Sequence, residues 1–180
     1  MAEAMTIIRQ ICESDVHSFR DALDSVSRER MFLAMLEAPP LESVRQFVLS
    51  SVKFGRPHFV ATEGDEIVGW CDIIPGDPET GRTHLGRLGM GVRKDHRGWK
   101  IGQRLAEAAV EKARAVGLEK IELEVYSSNN PAIGLYRKLG FEEEGRKKHG
   151  RLVDGKYDDI VLMALYLRKP ADGACVPMEK

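Results

Sequence analysis

Between Arg93 and Arg104 the chain gathers the residues best suited to hold a charged ligand. The run Gly89-Met90-Gly91-Val92 is apolar and β-prone. A short charged turn follows, and an amphipathic helix opens at about Trp99. A strand that ends and a helix that begins across such a turn leave several backbone N–H groups without intrahelical acceptors, at the positive end of the helix dipole. That arrangement is a seat for a phosphate group. Two other phosphate-binding patterns are excluded. The chain has no Gly-Lys-Ser/Thr, and a dinucleotide fingerprint belongs after the first strand, whereas this turn follows the fourth.

The elements that must position this turn alternate between strand and helix patterns. Residues 6–12 read as a strand, and Ser14 or Asp15 caps a helix running to about Val26. A second helical stretch is expected over 28–37, broken by Pro39-Pro40, and a third over 41–54 with Val44, Phe47 and Val48 on one face. Residues 58–63 and 66–74 form strands joined by Gly64-Asp65, and residues 83–92 form a further strand after a turn-rich loop. Beyond the turn, Ile101, Leu105, Ala108, Ala109 and Val116 make a core-facing helical stripe stopped by Gly117. Residues 118–125 are a strand in which Glu122 and Glu124 alternate with apolar residues. Pro131 opens a short helix through Leu139, and residues 141–149 and 158–167 close the chain as a hairpin around Val153-Asp154-Gly155. The expectation is one mixed α/β domain over 1–169, with a flexible tail over 170–180.

Composition agrees with a soluble domain. In 180 residues the hydrophobic fraction is 43% and the charged fraction 31%, and a net charge of −1 gives no electrostatic case for nucleic acid or an anionic membrane. Cys12, Cys71 and Cys175 are odd in number and lack metal-ligand spacing, which reads as reduced thiols in a cytoplasm. No secretory leader is expected from the polar N-terminus, and no apolar run reaches membrane-spanning length.

Two segments meet in one pattern: Arg97-Gly98-Trp99-Lys100-Ile101-Gly102 after the fourth strand, and the run from Asn129 to Phe141 after the fifth. Together they resemble the GNAT superfamily of acyl-CoA-dependent N-acetyltransferases. Its coenzyme signature is Gln/Arg-x-x-Gly-x-Gly/Ala, of which Arg97 and Gly102 satisfy the ends. Its later signature is Asn-x-x-Ala-x-x-Leu-Tyr-x-Lys-x-Gly-Phe, and Asn129, Ala132, Leu135, Tyr136, Lys138, Gly140 and Phe141 satisfy every position. Lys100 stands where the first signature has glycine. The resemblance covers nearly the whole chain except the tail. It implies a mostly antiparallel sheet of about seven strands, helices on both faces, and a splay between strands four and five.

The resemblance also implies acetyl-CoA as co-substrate, with no metal. The pyrophosphate would sit on the backbone from Arg97 through Gly102. Met90, Gly91 and Val92 would offer backbone groups to the pantetheine arm, and Asn129 with Ala132 would meet the coenzyme from the other side. Lys100, as a cation in a first helical turn, fits best beside an anion. Tyr136 would protonate the departing thiolate, since a phenol of pKa about 10 can protonate a thiolate whose acid lies near 8.5. An amine near pKa 10.4 must lose a proton before attack. Many relatives use a Glu on the fourth strand for that, but this chain has Gly86 at the matching place. His84, two residues earlier on the same strand face, is the expected base, with Glu122 and Glu124 as runners-up. The acceptor, a small-molecule or peptide amine, would lie among the N-terminal helices over 15–54 and the last hairpin over 147–159, where Asp158-Asp159 and Tyr157 could attract a cation. Homodimers are common in that family. The competing reading is a non-catalytic acyl-CoA-binding sensor or scaffold of the same fold.

Overall fold

In the computed structural model, which describes residues 6–167, one sheet organises the molecule. Its strands are β1 (Ile7–Gln10), β2 (His58–Glu63), β3 (Glu66–Pro75), β4 (Leu85–Val92), β5 (Lys120–Tyr126), β6 (Glu142–Val153) and β7 (Lys156–Tyr166), in the order β1-β2-β3-β4-β5-β7-β6. Every neighbouring pair is antiparallel except β4 and β5, which run parallel. Strands that bury both faces carry continuous apolar runs, and β3 is buried from Ile67 through Ile73.

Two helices cover each face. On one, α1 (Val16–Ser27) and α2 (Leu41–Lys53) bury Phe19, Leu23, Val26, Val44 and Val48 against Val60, Ile67 and Trp70. On the other, α3 (Ile101–Ala115) and α4 (Asn130–Lys138) bury Leu105, Ala109, Ile133 and Tyr136 against Cys71, Ile73, Leu88, Ile121 and Leu123. The spacing of those helical residues by three and four is the stripe that a sheet-covering helix requires.

The parallel pair is short. Only Leu85, Gly86 and Arg87 pair with Lys120, Ile121 and Glu122. Beyond that point β4 stays registered on β3 as far as Val92, and β5 stays registered on β7 as far as Tyr126. Each strand follows its outer neighbour, and the twist of the two half-sheets carries them apart. A bulge at Val68 braces the open end: Ala61 pairs with Gly69 and Thr62 with Ile67, and the Val68 carbonyl accepts the Arg93 N–H at 2.8 Å.

Two expectations need correction. Residues 28–37 form turns and bends, not a helix. Arg30 adopts a left-handed φ of 57°, and the carbonyls of Arg30, Met31 and Leu33 accept hydrogen bonds from the Arg151 guanidinium instead of from helical N–H groups. The fourth strand begins at Leu85, so His84 lies in the turn before it. The expected tail over 170–180 lies outside the described residues.

Candidate active site

A cavity of about 960 Å³ runs through the gap between β4 and β5 and across the face covered by α1 and α2. One end is walled by Met90, Val92, the turn from His96 to Gln103 without Trp99, Asn129, and residues of α4 as far as Lys138. The other end is walled by Phe19, Phe32, Leu33, Phe47, Trp70, Asp72, Ile74, Arg87, Glu124 and Tyr126. The size matches a ligand site with few polar groups on apolar walls.

At the turn, the N–H groups of Gly98, Trp99, Lys100, Ile101, Gly102 and Gln103 have no acceptor among the described residues. The first helical bond of α3 runs from Arg104 N–H to the Lys100 carbonyl at 3.1 Å, and no side chain caps the helix. Six successive donors at a helix N-terminus are an anion seat. Lys100 is the N-cap residue with φ 58°, and Gly98 has φ 85°. The position favours glycine for its left-handed backbone. The Lys100 side chain is exposed at the cavity wall. A Cβ at Gly102 would stand 3.1 Å from Met90 Cε, so the last glycine of the signature serves the close approach of α3 to β4.

Two side chains of the turn, Arg97 and Trp99, have surroundings of their own. The Arg97 guanidinium donates two bonds to the Glu29 carboxylate, one at 2.8 Å, and a third to the Val92 carbonyl at 2.9 Å. It also lies 4.6 Å over the Phe32 ring. Its charge is therefore already paired, and it ties the turn to the segment after α1. Trp99 is 68% exposed and its side chain is not part of the cavity wall. Of the two, Trp99 alone has an open backbone N–H, since the Arg97 N–H donates to the Lys94 carbonyl at 3.3 Å. Ile101 is buried in the core beneath it.

Across the gap, Asn129 caps α4 by accepting the Ala132 N–H at 3.3 Å, leaving its NH₂ group without a partner among the described residues. Tyr136 lies on the same wall, buried and packed 5.6 Å from Phe141. Its hydroxyl has no hydrogen-bond partner among the described residues, and burial holds the phenol above its ordinary pKa. It stays protonated, as a proton donor must. Cys71 is fully buried with its thiol pushed up by burial, which disfavours a thiolate nucleophile.

The expected bases separate clearly. His84 is exposed and does not line the cavity; its carbonyl accepts the N–H groups of Glu119 and Lys120, so it holds the start of β5. Gly86 faces the opposite core, where a Cβ would meet Ile73 Cγ2 at 2.5 Å and Leu118 Cδ1 at 2.8 Å. Glu122 binds Arg82 and Lys120. Glu124 lines the cavity, its carboxylate accepting Lys147 Nζ at 2.7 Å. The last hairpin adds no wall: Asp158 accepts the hydroxyls of Ser127 and Ser128, and Asp159 accepts the His149 N–H. Asp72 is the carboxyl group that no sequence motif marks. It is 9% exposed, lines the cavity and has no hydrogen-bond partner among the described residues.

A sheet split between β4 and β5, with an open donor turn at the split, is the architecture of a family of transferases. The profile of the acetyltransferase (GNAT) family matches residues 21–141, and the chain belongs to that family. Among its relatives, the L-methionine sulfoximine/L-methionine sulfone acetyltransferase of Pseudomonas paraeruginosa is 33% identical over 114 residues, 63% of this chain and 66% of the relative. An N-alpha-acetyltransferase of Sulfurisphaera tokodaii is 36% identical over 129 residues, 66% of this chain and 74% of the relative. A GNAT-family acetyltransferase of Streptococcus pneumoniae superposes with a TM-score of 0.83 at 25% identity, over 91% of this chain and all of that one. An acetyltransferase fold of Salmonella typhimurium, solved with its cofactor acetyl-CoA, superposes with a TM-score of 0.86 at 18% identity, over 95% and 99% of the two chains.

Proposed function

We propose that this protein is an N-acetyltransferase that moves the acetyl group of acetyl-CoA directly to a primary amine. The six open N–H groups from Gly98 to Gln103 carry the reading, because they supply a pyrophosphate seat without any side-chain cation. The residues present fit the coenzyme. The β5-facing edge of β4 beyond Arg87 has no strand partner among the described residues, so its backbone can meet an extended amide-bearing arm, with Asn129 opposite. Tyr136, protonated and facing the same space, is placed to donate to the departing sulfur.

Aromatic and aliphatic side chains dominate the α1/α2 side of the cavity, and this favours an amine that carries an apolar group. Relatives are named for acetylation of L-methionine sulfoximine and L-methionine sulfone and for N-alpha-acetylation, and an amine of either kind fits an acceptor site open at one end. Direct transfer follows from the burial of Cys71. Among the described residues it is the one thiol near the cavity, and it is held protonated. The non-catalytic sensor reading is disfavoured by Tyr136, whose hydroxyl reaches the cavity and has no partner among the described residues.

Isothermal titration tests the seat. Acetyl-CoA is expected to bind one per chain, and acetyl-pantetheine, which lacks the pyrophosphate and the nucleotide, at least about a hundredfold more weakly, a difference of about 2.7 kcal/mol. Equal affinity for the two would refute a phosphate seat at this turn.

A further inference from the structure

The acceptor amine must surrender a proton inside a cavity with apolar walls, and the geometry marks one residue for that task. On β3, Asp72 lies between His58 of β2 and Gly89 of β4, its direct partners across the two ladders. Directly opposed residues share a face, so the carboxyl group lies on the α1/α2 side, over the acceptor half of the cavity. A Cβ on Gly89 would stand 3.4 Å from Asp72 Oδ2. Gly89 therefore leaves the carboxyl uncovered at the level where β4 has already parted from β5. The side chain is nine-tenths buried, reaches the cavity, and donates to or accepts from no described residue.

We propose that Asp72 is the general base of this site, taking the proton from the acceptor's ammonium group as the nitrogen reaches the thioester. This rests on the acetyltransferase reading above and names the group that reading leaves open. The ammonium loses its first proton to the Asp72 carboxylate, which passes it to solvent through the cavity mouth. The free amine forms the N–C bond to the carbonyl carbon and the C–S bond breaks. The Tyr136 hydroxyl gives its proton to the sulfur, and the second proton released by the nitrogen restores that hydroxyl. One proton per turnover leaves the protein.

The surroundings suit the task. Burial pushes the Asp72 carboxyl up to about 7, so both protonation states are available near neutral pH. The charged or titratable groups sharing its face are His58 on β2, Arg87 on β4, and Glu122, Glu124 and Tyr126 on β5. Glu122 is engaged by Arg82 and Lys120, and burial raises the Tyr126 phenol. His58 is held neutral by burial, and Glu124 is engaged by Lys147. The lining residues of α1, α2 and the segment between them are apolar apart from Ser43.

The test is the pH dependence of acetyl-CoA thiol release with the full-length wild type, Asp72→Asn and Glu124→Gln. Acceptors are L-methionine sulfoximine, an alanine-initiated peptide and hydroxylamine. The first two are protonated through most of the range, whereas hydroxylamine is neutral. The wild type is expected to show a rising limb in kcat/KM near pH 7. Asp72→Asn is expected to lose that limb and at least about a hundredfold of the rate on the protonated amines, in line with general base catalysis. It should keep its acetyl-CoA affinity and, in relative terms, its rate on hydroxylamine. Unchanged limb and rate in Asp72→Asn overturn the assignment, as does loss of the limb in Glu124→Gln alone. Absence of any wild-type turnover would refute the acetyltransferase reading itself, a distinct outcome.

Discussion

Tyr136 and Lys100 show how one side chain's surroundings decide what it can do. Burial raises the Tyr136 phenol, so its proton is retained across the working pH range, as the proposed proton donor to the departing sulfur requires. Tyr136→Phe is expected to lower kcat by about a hundredfold or more, at the scale of general acid catalysis, with acetyl-CoA affinity unchanged in titration. An unchanged kcat would reduce Tyr136 to its packing on Phe141. Lys100 combines a backbone cost with a side-chain benefit. A left-handed L-residue is strained by about 1–2 kcal/mol, partly offset in Lys100→Gly by the greater freedom of glycine in the unfolded chain. Lys100→Gly should therefore raise Tm slightly while weakening acetyl-CoA binding about fivefold, the loss of one solvent-open charge contact of about 1 kcal/mol. Affinity that stays level or rises would remove the ammonium from the seat. Tyr136 and the odd Lys100 were legible in the sequence, because local signatures carry them. Asp72 was not: its meaning comes from strand register, which sets it beside Gly89, seventeen residues away.

At the scale of elements, the segment between α1 and α2 is the least expected part of the molecule. A helix was expected over 28–37, yet the segment forms turns and bends in which Phe32 and Leu33 wall the cavity. The segment is held at both ends. Arg97 grips Glu29 from the coenzyme turn, and Arg151 and Asp154 of the last hairpin grip its carbonyls and Arg30. Sequence periodicity cannot register such contacts, since Glu29 and Arg97 stand 68 residues apart. The Arg97 side chain thus has a bridging task within a coenzyme signature read for its backbone. Glu29→Gln is expected to speed proteolytic cleavage within residues 28–40 and to raise the acceptor KM, leaving acetyl-CoA affinity unchanged. A loss of coenzyme affinity with no change in cleavage would place Arg97 on the phosphates instead. The strands themselves were well marked, since β-branched runs and the Asp154-Gly155 turn fix them locally.

For the whole molecule, two buried groups on neighbouring strands pull stability in opposite directions with pH. His58, packed between Phe19 and Phe47, is pushed down to about 3 from an ordinary 6.5 by burial. The unfolded chain binds the extra proton first, so its contribution is whole above about pH 6.5 and is lost as pH falls toward 3. Asp72 is the reverse. Its folded value near 7 lies above the ordinary 3.8, so its contribution is whole below about pH 4 and is lost as pH rises through 7. Each unit of that elevation corresponds to about 1.4 kcal/mol. Asp72→Asn should therefore raise Tm above pH 7, with the gain shrinking toward pH 5, where the wild-type carboxyl is already neutral. An equal gain at both pH values would mean that Asp72 is not buried as an ionisable group. A more stable and slower variant is what a site that holds an unpaired carboxyl for chemistry should give.

The account turns on transfer of the acetyl group within the cavity between β4 and β5. Its most direct measurement is amine-dependent release of the coenzyme thiol from acetyl-CoA, read across amino acids, polyamines, aminoglycosides and peptide N-termini. The prediction is thiol release that saturates with at least one amine, matched by acetylated product of equal amount. Tight acetyl-CoA binding with no amine-dependent release across the panel would contradict it and leave a coenzyme-binding module in place of an enzyme.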